Sequence, residues 1–168
     1  GGAGNAGNPG IDVTTGNVVL EGVAFSGRLG NALKVSGDAI VTVLPGALTD
    51  YVADALAYVD ASGYNPFAEV SGTAQLTLAG GTFGGPGLGY GAALPRLNYG
   101  AAFAVRGDAR LVVDGVTLKL RTRGIGLQQN ASVLIEDSSL TAVAMTSGGY
   151  GVWAMNDGGA AKIEIEGS

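Results

Sequence analysis

The sequence predicts an all-β protein built as a parallel β-solenoid, and three observations lead to this fold class. Glycine is abundant, with 31 residues among 168, and aromatic residues make up only 7%. Frequent glycine suits turn-rich β structure and is poorly tolerated in long helices. A short segment also recurs along the chain. Within each copy apolar and outward-facing residues alternate, which is the period-two pattern of a strand with one buried face.

The recurring segment is clearest in three copies, each 35 residues after the one before: VSGDAIVTV at 35–43, VSGTAQLTL at 70–78 and VRGDARLVV at 105–113. A looser copy occupies residues 127–135, and a last one places Ala161, Ile163 and Ile165 at the alanine and aliphatic positions. A degenerate first copy runs from Val18 through Leu20 to Phe25. The chain therefore contains up to six repeats.

A single copy cannot bury its own apolar residues, but stacked copies place equivalent apolar residues next to one another and form a continuous core. We expect one core row of the small residues Ala39, Ala74, Ala109, Ala131 and Ala161. Five positions after the second aliphatic residue, beyond a glycine-containing turn, a further apolar residue is expected to begin the next side of each coil. These anchors are Leu48, Phe83, Leu118 and Leu140.

The spacing between copies varies while the strand segment stays constant, so the variation is predicted to lie in loops. The expected loops are residues 49–69, 84–100 and 142–151. In the first of them a brief helix is predicted from Thr49, because Val52, Leu56 and Val59 would share one helical face. We expect residues 1–10 to form a flexible lead-in rich in glycine and asparagine, and residues 11–168 to form the solenoid.

Composition excludes several classes of function. A net charge of −5 disfavours binding to the phosphates of nucleic acid. Cysteine and histidine are both absent, which removes disulfides, thiolate nucleophiles and the commonest transition-metal ligand. We therefore expect no cofactor and no metal site. The uncharged stretch 76–95 has the length of a membrane span, but its seven glycines and two prolines make a membrane-inserted helix improbable.

The pattern V-x-G-x-A-x-L-x-V with its following anchor, at residues 70–83 and 105–118, resembles the passenger domains of bacterial autotransporters of the pertactin type. The resemblance extends over roughly residues 11–168. It implies a right-handed parallel β-helix at the bacterial cell surface or secreted from it, acting in virulence as an adhesin or a binder of host serum proteins. Complete family members also carry a signal peptide and a membrane translocator. The resemblance thus predicts that this chain is part of a longer parent protein.

One candidate binding site is the integrin-type tripeptide formed by Arg106, Gly107 and Asp108. The alternative is a structural turn, because Gly107 and Asp108 occupy the positions that Gly37 and Asp38 have two repeats earlier. Only Arg106 differs from the earlier repeat, which has Ser36 at the equivalent position. Tripeptides of this kind also arise by chance, so the motif is weak on its own.

The second candidate is the long loop around residues 84–100, which contains Tyr90, Arg96 and Tyr99. Aromatic residues and arginine in a loop are typical of protein-binding surfaces. The alternative is a surface excursion without a ligand.

Three hypotheses for function follow from these features. The first is a passenger that binds a host extracellular or serum protein; the second is a structural stalk with no ligand of its own. The third, a polysaccharide-active enzyme, requires clustered acids with a basic residue. Because Asp38, Asp108, Asp114 and Glu136 are scattered through the sequence, no catalytic residue is assigned and a non-enzymatic role is expected.

Overall fold

The computed structural model describes residues 10–23, 26–29, 32–45, 50–53, 66–84, 101–120, 123–142, 151–154 and 157–168. These residues contain fifteen β-strands and no helix, which confirms the predicted all-β class. In chain order the strands are β1 (Ile11–Val13), β2 (Asn17–Leu20), β3 (Ser26–Leu29), β4 (Leu33–Val35), β5 (Ile40–Val43), β6 (Asp50–Ala53), β7 (Ala68–Val70), β8 (Gln75–Gly84), β9 (Ala101–Val105), β10 (Arg110–Leu120), β11 (Arg123–Leu127), β12 (Ser132–Glu136), β13 (Ser139–Ala142), β14 (Val152–Ala154) and β15 (Lys162–Glu166).

The strands form three sheets, and the chain visits the first two alternately. Sheet A has the order β1-β4-β7-β9-β11-β14, and sheet B has the order β2-β5-β8-β10-β12-β15. β3 pairs with β6 in sheet C, and β13 pairs with the second half of β10. Every pairing among these strands is parallel. Neighbouring strands of a sheet therefore come from successive repeats.

The register of sheet B matches the sequence repeat. Val41 lies opposite Leu76, Leu76 opposite Leu111, Leu111 opposite Val133, and Val133 opposite Ile163. The strand of the degenerate first copy is confirmed too, since Val18 pairs with Val41 and Leu20 with Val43, whereas Phe25 lies outside the described residues. Leu118 lies opposite both Phe83 and Leu140, as the anchor positions predict, whereas Leu48 is outside the described residues.

The core lies between sheets A and B and forms one cluster of buried apolar side chains. The alanine row is fully buried at Ala39, Ala74, Ala109 and Ala131. Ala161 is only partly buried, and among the described strands β15 pairs with β12 alone. On the sheet A side the rings of Phe67 and Phe103 meet edge to face, with centroids 5.8 Å apart. Such pairs prefer this geometry, because the positive edge of one ring meets the negative face of the other.

The chain leaves sheet B at a corner marked by a backbone conformation that favours glycine. Gly80, Gly115, Asp137 and Gly167 occupy this corner in successive repeats, with φ angles of 72°, 62°, 45° and 62°. The glycine-containing turns predicted before the anchors are thus bends inside the continuous strands β8 and β10, at Gly80 and Gly115. At the corner after β12, the buried Ser138 hydroxyl accepts a hydrogen bond from the Val116 amide at 2.9 Å.

The predicted helix beginning at Thr49 is wrong at its first turn. Residues Asp50–Ala53 form strand β6, which pairs in parallel with Ser26–Leu29 of the preceding repeat. The pairing supplies hydrogen-bond partners from another strand, and this outweighs the local helical pattern. Leu56 and Val59 lie outside the described residues, as do residues 1–9 of the lead-in predicted at residues 1–10.

Candidate functional site

The tripeptide of Arg106, Gly107 and Asp108 forms the turn that joins β9 of sheet A to β10 of sheet B. Its backbone is stacked on the turn of the preceding repeat. The Arg106 amide donates to the Val70 carbonyl, and the Asp108 amide donates to the Gly72 carbonyl, both at 2.9 Å. Gly107 has a φ of +73°, and a Cβ atom there would stand 3.0 Å from the Gly72 carbonyl oxygen. The glycine of the tripeptide is therefore required by the turn itself.

Both charged side chains of the tripeptide contact neighbouring repeats. An Nη atom of Arg106 lies 3.6 Å from a carboxylate oxygen of Glu69, and 40% of the arginine side chain is exposed. Asn130 donates a hydrogen bond to the Asp108 carboxylate at 3.0 Å. These contacts make the tripeptide one level of a stack of turns and favour its structural interpretation. Its binding role stays a prediction.

The other three candidate residues, Tyr90, Arg96 and Tyr99, lie outside the described residues. The described chain stops at Gly84, the last residue of β8, and resumes at Ala101, the first residue of β9. The tripeptide follows the opposite end of β9, and a five-residue strand spans roughly 16 Å. The attachment points of the two candidate sites are therefore separated by the length of one strand.

Sequence reasoning missed a row of acidic residues on sheet B. Asp114 lies opposite Glu136 on the neighbouring strand, and Glu136 lies opposite Glu166 on the next. Parallel strands are about 4.8 Å apart, so the three acids form a continuous line rather than a scatter. The signal was present, because each acid stands five residues after the alanine of its repeat. The row is at the surface, with Asp114 and Glu166 exposed.

Two further surface features had no signal in the repeat. Val19 and Ile40 point outward from sheet B and are 63% and 45% exposed. On sheet A, Trp153 lies opposite Gly126, and its indole covers the position that a Cβ atom would occupy there. A glycine on one strand thus gives room for the aromatic side chain of the next.

Within the described ranges, no group of three or more His, Cys, Asp and Glu side chains is arranged to hold a metal ion. The same part of the chain contains no helix of the length and apolar character that crossing a membrane requires. The described residues offer stacked turns and exposed sheet faces.

Comparison with protein-family models, with curated proteins and with solved structures finds no match to this chain. Knowledge of the fold thus rests on the strand pairing and burial in this chain.

Proposed function

We propose that the chain is a right-handed parallel β-helix from an autotransporter passenger, exposed at the bacterial surface or secreted, that binds a host protein. The observation that carries this proposal is the strand order, in which successive repeats add one parallel strand each to sheets A and B. Rigid solenoids with loops of variable length suit recognition at a cell surface, because they present binding segments on a fixed scaffold.

Three features support a closed, right-handed solenoid. The chain passes from sheet A through a short turn to sheet B and then returns to sheet A beside its starting strand. Crossovers between parallel strands of one sheet are right-handed in nearly all proteins. The turns between the two sheets also stack on one another through backbone hydrogen bonds, as the Asp108 amide does on the Gly72 carbonyl.

The binding surface in this proposal comprises the loop with Tyr90, Arg96 and Tyr99 and the turn with Arg106 and Asp108. Its partner is a host extracellular or serum protein, and the remainder of the parent chain is the other macromolecule in contact. Long loop insertions cost a solenoid little stability, since the entropy of loop closure grows slowly with length. They are therefore the natural places for a binding function.

The experiment is a pull-down from host serum and from solubilised cell-surface proteins with the purified, folded chain. It compares the wild type with a double variant, Arg106→Ala and Asp108→Ala, and with a deletion of residues 85–91. A matched control changes the equivalent turn two repeats earlier, Ser36→Ala and Asp38→Ala. Specific capture that is lost in the tripeptide variant or the loop deletion, and kept in the control, is the expected result.

The alternative function is that of a structural stalk, and one observation favours it. The side chains of Arg106 and Asp108 contact Glu69 and Asn130 of neighbouring repeats, which occupies them within the scaffold. If the folded wild type captures no protein that the tripeptide variant and the loop deletion do not also capture, binding belongs to another part of the parent protein. The stalk then becomes the accepted function of this segment.

A further inference from the structure

The side of sheet B that faces away from the core has a residue pattern of its own, and we call this surface the outer face. Each strand presents three outward positions, and the parallel register arranges them in a first, a middle and a last row across the sheet. The middle row is mostly apolar or threonine and consists of Val19, Thr42, Thr77, Val112, Leu134 and Glu164. Val19, and Ile40 of the first row, are 63% and 45% exposed.

The first and last outward positions of a strand are complementary to each other. The pairs are Ile40 with Leu44 at β5, Arg110 with Asp114 on β10, Ser132 with Glu136 on β12 and Lys162 with Glu166 on β15. The remaining pairs, Asn17 with Glu21 at β2 and Gln75 with Ala79 on β8, contain no like charges. Apolar residues are thus matched with apolar residues, and cations with acids.

These pairs do not meet within one chain, because residues four apart on a strand are separated by about 13 Å. In its own row Arg110 lies between Gln75 and Ser132, and neither carries a charge. The last row instead places three acids on adjacent strands, about 4.8 Å apart: Asp114, Glu136 and Glu166. The pattern therefore fits a surface that brings cations to the last row and acids to the first.

We propose that this surface is the outer face of a second copy of the chain, related by a two-fold axis parallel to the direction in which the repeats stack. Such an axis reverses the strand direction and keeps every repeat level with the same repeat of the partner. Arg110 then lies opposite the partner's Asp114, and Asp114 opposite the partner's Arg110. The middle row packs on itself. Because both copies use the same surface, the assembly closes at the dimer.

Charge distinguishes this arrangement from the other two-fold face-to-face packing. An axis parallel to the strands, passing through β10, would place Arg110 opposite the partner's Arg110 and Asp114 opposite the partner's Asp114. Like charges directly opposite each other are destabilising. The pattern on β10 therefore selects the axis along the stack of repeats. At β15 the middle row ends in Glu164, whose charge the Lys162 ammonium already partners on the same strand.

The outer face runs along the side of the stack of repeats. A further repeat at either end would add its strand beside β2 or β15, which lengthens this face and does not cover it. The six strands form a face about 24 Å long and 13 Å wide, so each copy buries on the order of 300–450 Å², less than the roughly 800 Å² per partner of a standard interface. The dimer of this segment is therefore expected to be weak and to dissociate on dilution.

The test is sedimentation equilibrium of the purified chain, up to the highest concentration at which it stays in solution. The wild type is expected to approach twice the 16.5 kDa mass of one chain and to stop there. Arg110→Asp and Asp114→Arg are each expected to weaken the dimer about tenfold or more, because each creates two like-charged pairs. An equal mixture of the two variants is expected to recover the dimer, since one copy then supplies two acids and the other two arginines.

Asp38→Arg is the matched control, because it changes the net charge as Asp114→Arg does but lies in an exposed turn outside the outer face. It is expected to leave the dimer unchanged. Arg110 and Asp114 are exposed, so their substitutions are expected to leave the fold intact, which circular dichroism checks.

A monomer at every concentration overturns the proposal, and so does a dimer that neither variant weakens or that their mixture does not recover. Assembly beyond two copies replaces it with end-to-end stacking of repeats. A monomeric chain that captures a serum protein and loses it in Arg110→Asp assigns the outer face to that protein instead. The sedimentation results do not depend on whether the chain captures a host protein through its loop or its tripeptide.

Discussion

The stacked turns make a quantitative prediction at Gly72, which lies between the turns of Gly37 and Gly107. Gly72 has a φ of +76°, and a Cβ atom at this position would stand 2.9 Å from the Gly37 carbonyl oxygen. The oxygen cannot easily retreat, because it accepts hydrogen bonds from the Thr73 amide at 2.9 Å and the Thr73 hydroxyl at 3.0 Å. Gly72→Ala is therefore expected to displace one turn from the next.

Two terms determine the size of the effect. Holding alanine in the left-handed region costs roughly 1–2 kcal/mol, of which about 0.5–1 kcal/mol is returned because alanine has less conformational freedom than glycine when unfolded. Forcing a methyl group against fixed backbone costs a further ~1–3 kcal/mol, as in overpacked cores. The expected loss of unfolding free energy is about 1–4.5 kcal/mol.

Gly115→Ala isolates the first term. Gly115 has a φ of +62°, but the nearest atom to its Cβ position, the Gly80 Cα, is 3.8 Å away, an ordinary contact. This variant is expected to lose only about 1 kcal/mol or less. Urea unfolding followed by circular dichroism measures both variants. Equal losses in Gly72→Ala and Gly115→Ala would refute the argument that turn stacking excludes a side chain.

Three further predictions concern the core, a corner and a surface ion pair. Phe103→Ala is expected to lower the free energy of unfolding by about 3–5 kcal/mol, because the ring is fully buried; a smaller loss in urea unfolding would mean that the core collapses around the cavity. Ser138→Ala is expected to cost about 1–3 kcal/mol in the same assay, because it leaves the Val116 amide without its acceptor, and a neutral result would contradict that role. Lys162→Met is expected to raise the pKa of Glu164 toward its ordinary value, which NMR titration of the carboxyl group measures. Because the pKa is lowered in the folded state, the pair stabilises the fold above the ordinary pKa, and this contribution is lost as the pH falls through the lowered pKa. An unchanged titration of Glu164 would show that the lysine does not cause the lowered pKa.

The repeat in the sequence predicted the register of sheet B, including the degenerate first copy at Val18 and Leu20. It succeeded because stacked parallel strands place equivalent residues directly opposite each other, so a sequence alignment of the copies is also an alignment in space. The corner glycines at residues 80 and 115 were predictable for a related reason. Their conformation is one that other residues adopt only at a cost.

The candidate site was predicted less completely. The tripeptide was visible as a motif, but its contacts with Glu69 and Asn130 depend on how many residues each repeat contains, which the motif does not specify. The acidic row was overlooked because Asp114 and Glu136 are distant in sequence and adjacent only after stacking. The helix predicted from Thr49 failed because residues 50–53 find a parallel partner in β3, a long-range contact that local periodicity does not report.

The sequence by itself determined which residues face the core, where the strands lie and that they are parallel, because alternation and repetition are local properties of the chain. Tertiary structure decided which turns stack on one another, that Trp153 covers Gly126, and that Ile163 and Ile165 are exposed on β15. The physical reason is that the burial of a residue depends on the strand of the neighbouring repeat. The same aliphatic position is core in β12 and surface in β15, and only the stacked structure distinguishes them.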